Sequence, residues 1–278
     1  MAMKTTGTPE AFLPEDYGNL LIATATPLSV AMSTTTVVTT DSNTFHIPTI
    51  TGEVTAAWVD ELAEIAPSDA TLAEEVVRPR KLAALTKISN ELRHDSTPQA
   101  AEVIGQSIAR DIANQIDAAF FGTGDGTGVP PKGLGALDGV TEVATTAVDN
   151  LDAFIEATYT AEALGANLSV FVANPADAQA LAQLKRETTS NVPLLAPAAS
   201  EGTTRQLAGI PMRTSPHVRK GTIYGYDTRR VYTVVRKDVE VQVDDSVYFT
   251  SDSSAVRGVA RVAFGYPHAA SIIRIKIG

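Results

Sequence analysis

The chain has 278 residues, 44% of them hydrophobic and 19% charged, which is enough apolar material for a sizeable core in one large domain or two smaller ones. A net charge of −10 argues against nucleic-acid binding as the main task, because duplex binding leaves a basic footprint. The absence of cysteine excludes disulfides, thiol catalysis and cysteine metal sites, and fits synthesis in a reducing cytosol.

No apolar run approaches the roughly 18 residues of a membrane span, and the opening MAMKTTGTPE has no signal-peptide core. A soluble chain, not exported by that route, is expected. His46, His94, His217 and His268 lie far apart with no H-x-x-x-H pair, so no metal is expected.

The first fifty residues are mostly Thr, Ser, Pro and small apolar types. Glu15 to Ala25 is compatible with a short helix, and Thr34–Thr39 and Phe45–Ile50 read as strands from their β-branched content. With little core of its own, this stretch reads as an arm that is ordered only against something else. Residues 52 to 78 carry seven acids (Glu53, Asp60, Glu61, Glu64, Asp69, Glu74, Glu75) and no base before Arg78. Pro67-Ser68-Asp69 is a turn-forming cluster. A long projecting hairpin is the preferred reading; a helix over Trp58 to Ala66 is the alternative, since Trp58, Leu62 and Ile65 recur at helical spacing. The sign then flips, with Arg78, Arg80, Lys81, Lys87 and Arg93 around the strand-like LAALTKIS.

Thr97 to Phe121 carries the strongest helical pattern. Thr97 caps, Pro98 takes the first helical position, and Ile104, Ile108, Ile112, Ile116 and Phe120 repeat every four residues along roughly 37 Å. Gly122 ends it. After the loop GTGDGTGVPPKGLG, Leu151 to Leu164 is helical up to Gly165. Leu168 to Val172 is a buried strand, and Asn174-Pro175 opens a helix carrying Ala178, Leu181 and Leu184. Residues 188 to 204 form a loop. Strands follow at 222–226, 231–236, 239–243, 256–264 and 269–277. Helices interleaved with mostly separate strand groups indicate an α+β fold rather than a doubly wound sheet.

Tests for chemistry fail one after another. The run Gly122-Thr-Gly124-Asp-Gly126-Thr-Gly128 follows a helix rather than a strand, contains no G-x-G-x-x-G, and is followed by Pro130-Pro131; it reads as a flexible connector. Gly105-Gln-Ser107-Ile-Ala109, the nearest approach to a nucleophile elbow, lies inside the long helix. Asp244-Asp245 would point to opposite faces of a strand. No catalytic residue, cofactor or metal is assigned.

Trp58 to Glu64, then Arg80-Lys81-Leu82-Ala83-Ala84-Leu85 leading into Ile88-Ser89-Asn90-Glu91-Leu92, resemble the projecting loop and following strand of Hong Kong 97-type capsid proteins. The helix ending in Asp117-Ala-Ala-Phe120-Phe-Gly122-Thr-Gly124 resembles the family's spine helix and its exit, and Pro131-Lys132-Gly133-Leu134 the step that follows. Val172-Ala173-Asn174-Pro175 with Leu181 to Lys185 is similar to the axial-domain strand and helix. Leu207 to Pro211, Gly225-Tyr226-Asp227 and Arg257 to Ile275 are similar to its closing strands. Order and spacing over some 220 residues carry the resemblance.

The resemblance implies an N-terminal arm (1–51), a projecting loop (52–78), a peripheral domain with the spine helix (79–145 and 245–278) and an axial domain (146–244). It implies a structural major capsid protein, not an enzyme, that assembles as hexamers and pentamers into an icosahedral shell around double-stranded phage DNA. Scaffolding, portal and possibly decoration proteins would be its other partners, with no membrane and no sequence-specific DNA contact. Assembly would occur in the host cytoplasm and the final location would be the virion. The acidic balance suits a lining past which DNA slides, although solubility explains it equally well. Trp58, Glu61, Glu64, Arg78, Arg80 and Lys81 are the expected subunit-interface residues, the acidic loop docking on a neighbour's bases at Arg78 to Arg93 or Arg205 to Lys237.

Two departures from the family matter. The type member joins a loop lysine covalently to a neighbour's asparagine, but no lysine occurs here between Lys4 and Lys81. Some members carry a scaffolding segment ahead of the arm; here the chain starts at the arm, so a separate or removed scaffold is expected. An encapsulin-type compartment sharing the fold is the alternative, distinguished by cargo, and an α+β enzyme is a more distant one.

Overall fold

The four-residue apolar repeat folds as a 23-residue helix, Gln99–Phe121, with Ile108, Ile112, Ile116 and Phe120 all buried along one side. The computed structural model describes residues 28–52, 56, 58–61, 67, 69–89, 99–145, 150–185, 195 and 205–277. The expected helix at Glu15 to Ala25, the cap Thr97-Pro98, Glu53, Glu64 and Arg93 lie outside the described residues.

In chain order the elements are α1 (Val30–Thr34), β1 (Thr36–Thr40), β2 (Phe45–Gly52), β3 (Thr71–Val77), β4 (Arg80–Ser89), α2 (Gln99–Phe121), β5 (Thr141–Thr145), α3 (Asp152–Ala163), β6 (Val170–Ala173) and α4 (Pro175–Gln183). Then come β7 (Gln206–Leu207), β8 (Ile210–Thr214), β9 (Thr222–Tyr226), β10 (Tyr232–Tyr248), β11 (Ser253–Gly265) and β12 (Ile273–Ile277). They form a four-stranded sheet in the order β1-β10-β11-β4, a six-stranded sheet in the order β5-β12-β9-β6-β8-β7, and the separate hairpin β2-β3.

Helix α2 lies on one face of the four-stranded sheet. Period-two alternation turns Leu82 and Ala84 of β4 toward it and leaves Lys81, Ala83, Leu85 and Lys87 outward. The helix approaches closely over Gly258, where an added Cβ would come within 3.1 Å of the Ile108 Cγ2. At its C-terminal end, Phe120 makes edge contacts with Phe121 and Phe264, each at 4.9 Å between ring centroids. Val172, Tyr224 and Tyr226, on one face of the six-stranded sheet, join this core. The opposite face, with Phe171, Ala173, Ile223 and Ile275, is covered by Phe154, Ala157 and Ala161 of α3 and by Ala178 and Leu181 of α4. The Asn174 side chain caps α4 as its sequence indicates, accepting from Ala176 N at 3.0 Å, and Pro175 opens the helix.

The first described residues, 28–40, pack on their own subunit. Buried Asp117 of α2 accepts from Ser29 Oγ at 2.6 Å, Val30 N at 3.0 Å and Ala31 N at 2.9 Å, so a carboxylate of the long helix binds the first donors of α1. Ser29 Oγ in turn accepts from Met32 N at 3.1 Å, and Thr34 Oγ1 shares a 2.7 Å hydrogen bond with the Tyr226 hydroxyl. Strand β1 then runs parallel to β10, from Thr36↔Tyr232 to Thr40↔Arg236.

The strands at 231–236 and 239–243 are one 17-residue strand, β10, with a register shift between Arg236 and Glu240 where the ladder to β11 is interrupted. The expected 269–277 strand begins at Ile273, because a 3-10 turn occupies Ala269–Ser271. Strands β5 and β12 pair with each other in the six-stranded sheet, β12 also with β9, while β10 of the four-stranded sheet spans position 244. Arg274 of β12 fixes this arrangement, donating to Glu142 at 3.0 Å and to the carbonyls of Leu134 and Leu137. The glycine-rich run is no loose connector: Gly133 N donates to Gly124 O and Gly135 N to Gly122 O, closing the loop on the helix end.

Candidate assembly surfaces

The hairpin β2-β3 has a fastened root and an uncovered tip. Its ladder runs from Phe45↔Val77 to Ile50↔Leu72, with an irregularity before Gly52↔Thr71. Ile47 and Val77 pack with Val234 and Ala263 over Gly265, where a Cβ would sit 2.5 Å from Ile47 Cδ1. The half-buried Glu75 accepts from Tyr266 N through both carboxylate oxygens, at 3.1 and 2.9 Å. Burial pushes its carboxyl up from the ordinary value, with the Tyr266 N–H and the Lys132 charge opposing the shift. Glu74 meets His46 Nδ1 at 2.6 Å. These two of the seven loop acids therefore have partners in their own subunit, unlike a uniformly projecting acidic face.

Beyond the ladder the chemistry changes. Trp58, the only tryptophan, is fully exposed, and Val59, Asp60 and Glu61 beside it are exposed. Asp60, Glu61 and Asp69 have no partner among the described residues. Ile50, Leu72 and Val76 add exposed apolar surface on the ladder itself.

The basic residues cluster on β4, an edge strand of its sheet. Arg78, Arg80 and Lys81 are exposed. Arg80 donates to Gly126 O at 3.4 Å, and neither Arg78 nor Lys81 has a partner among the described residues. Lys81 stands opposite Arg261, and Arg261 opposite Arg236, so three cations line up across the outward face of three strands. Arg236 is engaged in its own subunit, donating to Asn43 Oδ1. Lys87 is already engaged, donating to Ser251 Oγ at 2.7 Å and lying 4.7 Å from the Tyr248 ring centroid. In the later tract Arg205, Arg213, Arg219, Lys220 and Arg229 are exposed, while Arg230 donates to Gly165 O. Trp58 and Glu61 thus share the tip, Arg80 and Lys81 open β4 with Arg78 in the connection just before it, and the structure joins the two groups by the hairpin root without bringing them into contact.

A groove of about 350 Å³ opens beside these bases. Its walls come from β4, α2, β11 and the glycine-rich loop, and include Leu82, Ala119, Val129, Pro130 and Phe264, with Arg80 and Lys81 among its lining residues. Sequence patterning did not show it, because its walls are drawn from segments as far apart as Arg80 and Phe264. Among the described residues no group of three His, Asp or Glu is placed to hold a metal, and no helix is long and apolar enough to cross a membrane.

A mixed fold with a long helix across one sheet, a second sheet flanked by helices and a projecting hairpin defines a Hong Kong 97-type capsid subunit. The profile of the phage capsid family matches residues 11–277, and the chain belongs to that family. Its role is therefore structural, as a major capsid protein of the virion shell. The structure is similar to a capsid chain of a native GTA particle, with 21% identity, a TM-score of 0.72, and coverage of 100% of this chain and 95% of the other. It is also similar to chains from Microbacterium phage Oxtober96 (16% identity, TM-score 0.72, 99% and 96% covered) and Mycobacterium phage Adephagia (17%, 0.70, 90% and 90%). No curated protein matches the chain significantly.

Proposed function

We propose that this capsid protein assembles as hexamers and pentamers, with the acidic hairpin tip of one copy docking on Arg78, Arg80 and Lys81 of its neighbour. The observation that carries this reading is the contrast within the hairpin: Glu74 and Glu75 are bound in their own subunit, whereas Trp58, Asp60 and Glu61 project uncovered. Such elements make sense if each subunit completes its neighbour's surface. In this reading α2 and the four-stranded sheet form the peripheral domain, and the six-stranded sheet with α3 and α4 forms most of the axial one. Scaffolding, portal and decoration proteins and packaged double-stranded DNA are the further partners, with assembly in the host cytoplasm and DNA held without sequence-specific contacts.

Each exposed ion pair contributes only about 0.2–1 kcal/mol, so the charges set register and salt sensitivity through repetition over the shell. The test is assembly of the purified chain, followed by electron microscopy and light scattering across salt concentrations. Reversing Glu61 and Glu64 to lysine should block assembly or lower the salt at which shells dissociate, and reversing Arg78 and Arg80 as well should restore part of it. Normal assembly of the first double variant at all salt concentrations would refute the charge docking.

A further inference from the structure

We infer that the groove beside Arg80 is the seat for Trp58 of a second copy, with the acids Asp60 and Glu61 of that copy facing the Arg80 guanidinium. This rests on the assembly reading and adds to it a specific anchor and socket.

The groove and the tip are complementary in two independent ways. The groove wall is mainly apolar, from Leu82, Ala119, Val129, Pro130 and Phe264, and at about 350 Å³ it has the size of a cleft that takes a large side chain. Val129 on that wall is 78% exposed, an uncovered aliphatic group beside a proline. The only large aromatic side chain fully exposed among the described residues besides Phe249 is Trp58, followed directly by half-exposed Val59. Tryptophan is the residue whose burial contributes most at an interface centre. Charge gives the second match: Arg80, on the same side of β4 as Leu82, lines the groove, and two and three residues after Trp58 come Asp60 and Glu61. Arg80 can also stack on the indole face.

The seat belongs to a different copy because of how the hairpin is held. The groove adjoins Arg80, three residues after the root at Val77, whereas Trp58 lies beyond the far end of the ladder at Gly52↔Thr71. Seven residues of β3 separate the two by about 20 Å. The root is locked by Ile47, Val77 and the Glu75–Tyr266 bonds. The ladder therefore directs the tip away from its own groove, and Trp58 is exposed in the single chain.

Because Trp58 is the only tryptophan, the full-length chain reports on itself. Intrinsic fluorescence and acrylamide quenching are measured on unassembled subunits and on shells verified by electron microscopy. The expected result is a solvent-exposed spectrum before assembly, and a blue shift with reduced quenching in shells. Val129→Glu, at an exposed loop position, should abolish the shift or prevent shells while leaving the subunit's circular dichroism unchanged. Val59→Cys combined with Val129→Cys, in a chain with no cysteine of its own, should give disulfide-linked multimers from oxidised shells. Shells in which Trp58 stays exposed would overturn the groove while leaving the assembly reading intact. So would a blue shift already present in unassembled subunits, or one that persists in Val129→Glu shells with no cross-linked multimers. Wild-type shells in which electron microscopy shows the hairpin tip touching no neighbouring copy would instead overturn the assembly reading itself.

Discussion

Asp117→Ala should detach residues 29–40 from α2. The carboxylate takes three donors from a segment 86 to 88 residues away: Ser29 Oγ, Val30 N and Ala31 N. It is 4% exposed and Ser29 is 0%, so truncation leaves donors without acceptor and with little access to water. Hydrogen bonds to a charged group contribute about 1.5–3 kcal/mol each when measured by truncation, and bonds sharing one acceptor group do not add in full. A loss of about 3–5 kcal/mol is expected, large for a single substitution. Asp117→Asn keeps the shape but turns an amide toward one of the donors, and should cost about 2 kcal/mol. The assay is urea unfolding of unassembled subunits followed by circular dichroism, with hydrogen exchange read separately over residues 29–40. Faster exchange in α1 and β1 should accompany the loss, because Thr36 to Thr40 pair with β10 immediately after the clip. If Asp117→Ala unfolds within about 0.5 kcal/mol of the wild type, the clip has no energetic role and the reasoning fails.

Glu75 gives a pH dependence at the hairpin root. Its folded carboxyl titrates above the ordinary 4.5, so its contribution is fully present below pH 4.5 and is lost as pH rises through the raised value. Exchange protection of β3 should therefore increase on acidification toward 4.5, and Glu75→Gln should flatten that dependence; an unchanged pH profile in the variant would refute the assignment. Gly133→Ala places a Cβ 2.3 Å from Gly122 O and 2.5 Å from Ala119 O, both backbone atoms, and should cost about 3 kcal/mol in a thermal melt; a neutral result would mean that the loop closes differently. Boiled particles should run as one band near 29.2 kDa, since no lysine lies between Lys4 and Lys81; a ladder of multimers would reveal another donor.

Much of the architecture was legible because it rests on local periodicity. The isoleucine repeat of α2, the Asn174-Pro175 start of α4 and the β-branched runs of β1 and β2 each specify their element within a few residues. What was missed depends on distant partners. Strand β5, with the short sequence TEVAT, gains its strand identity from parallel pairing with β12, some 130 residues later. The shift at Arg236 to Glu240 looks like a break in sequence, yet the flanking registers to β11 keep β10 continuous. Asp117 is one acid among several on a long helix, and nothing local distinguishes a solvated acid from one that caps a segment 88 residues upstream. Glu74 and Glu75 likewise sit inside an acidic run, and only the ladder shows one facing His46 and the other turned to Tyr266. The interface candidates were legible as charge, but the groove was not, since four separate segments build it.

The division of the hairpin into a bound root and an open tip also separates the forces that would act in docking. Arg78, Arg80 and Lys81 lie within four residues, and Asp60 and Glu61 are adjacent in the tip, so each surface carries its own repulsion before contact. Two unit charges about 5 Å apart interact by roughly 1 kcal/mol in water, more where solvent is partly excluded. Contact between the surfaces relieves both repulsions at once, and its gain therefore exceeds a count of new ion pairs. That part decays with ionic strength, since the screening length falls from about 10 Å at 0.1 M to about 3 Å at 1 M salt. Burial of Trp58 and Val59 does not decay in this way, because apolar transfer is insensitive to charge screening. High salt should then loosen the register set by the bases while the tryptophan anchor persists. An interface built only on charge would lose both together.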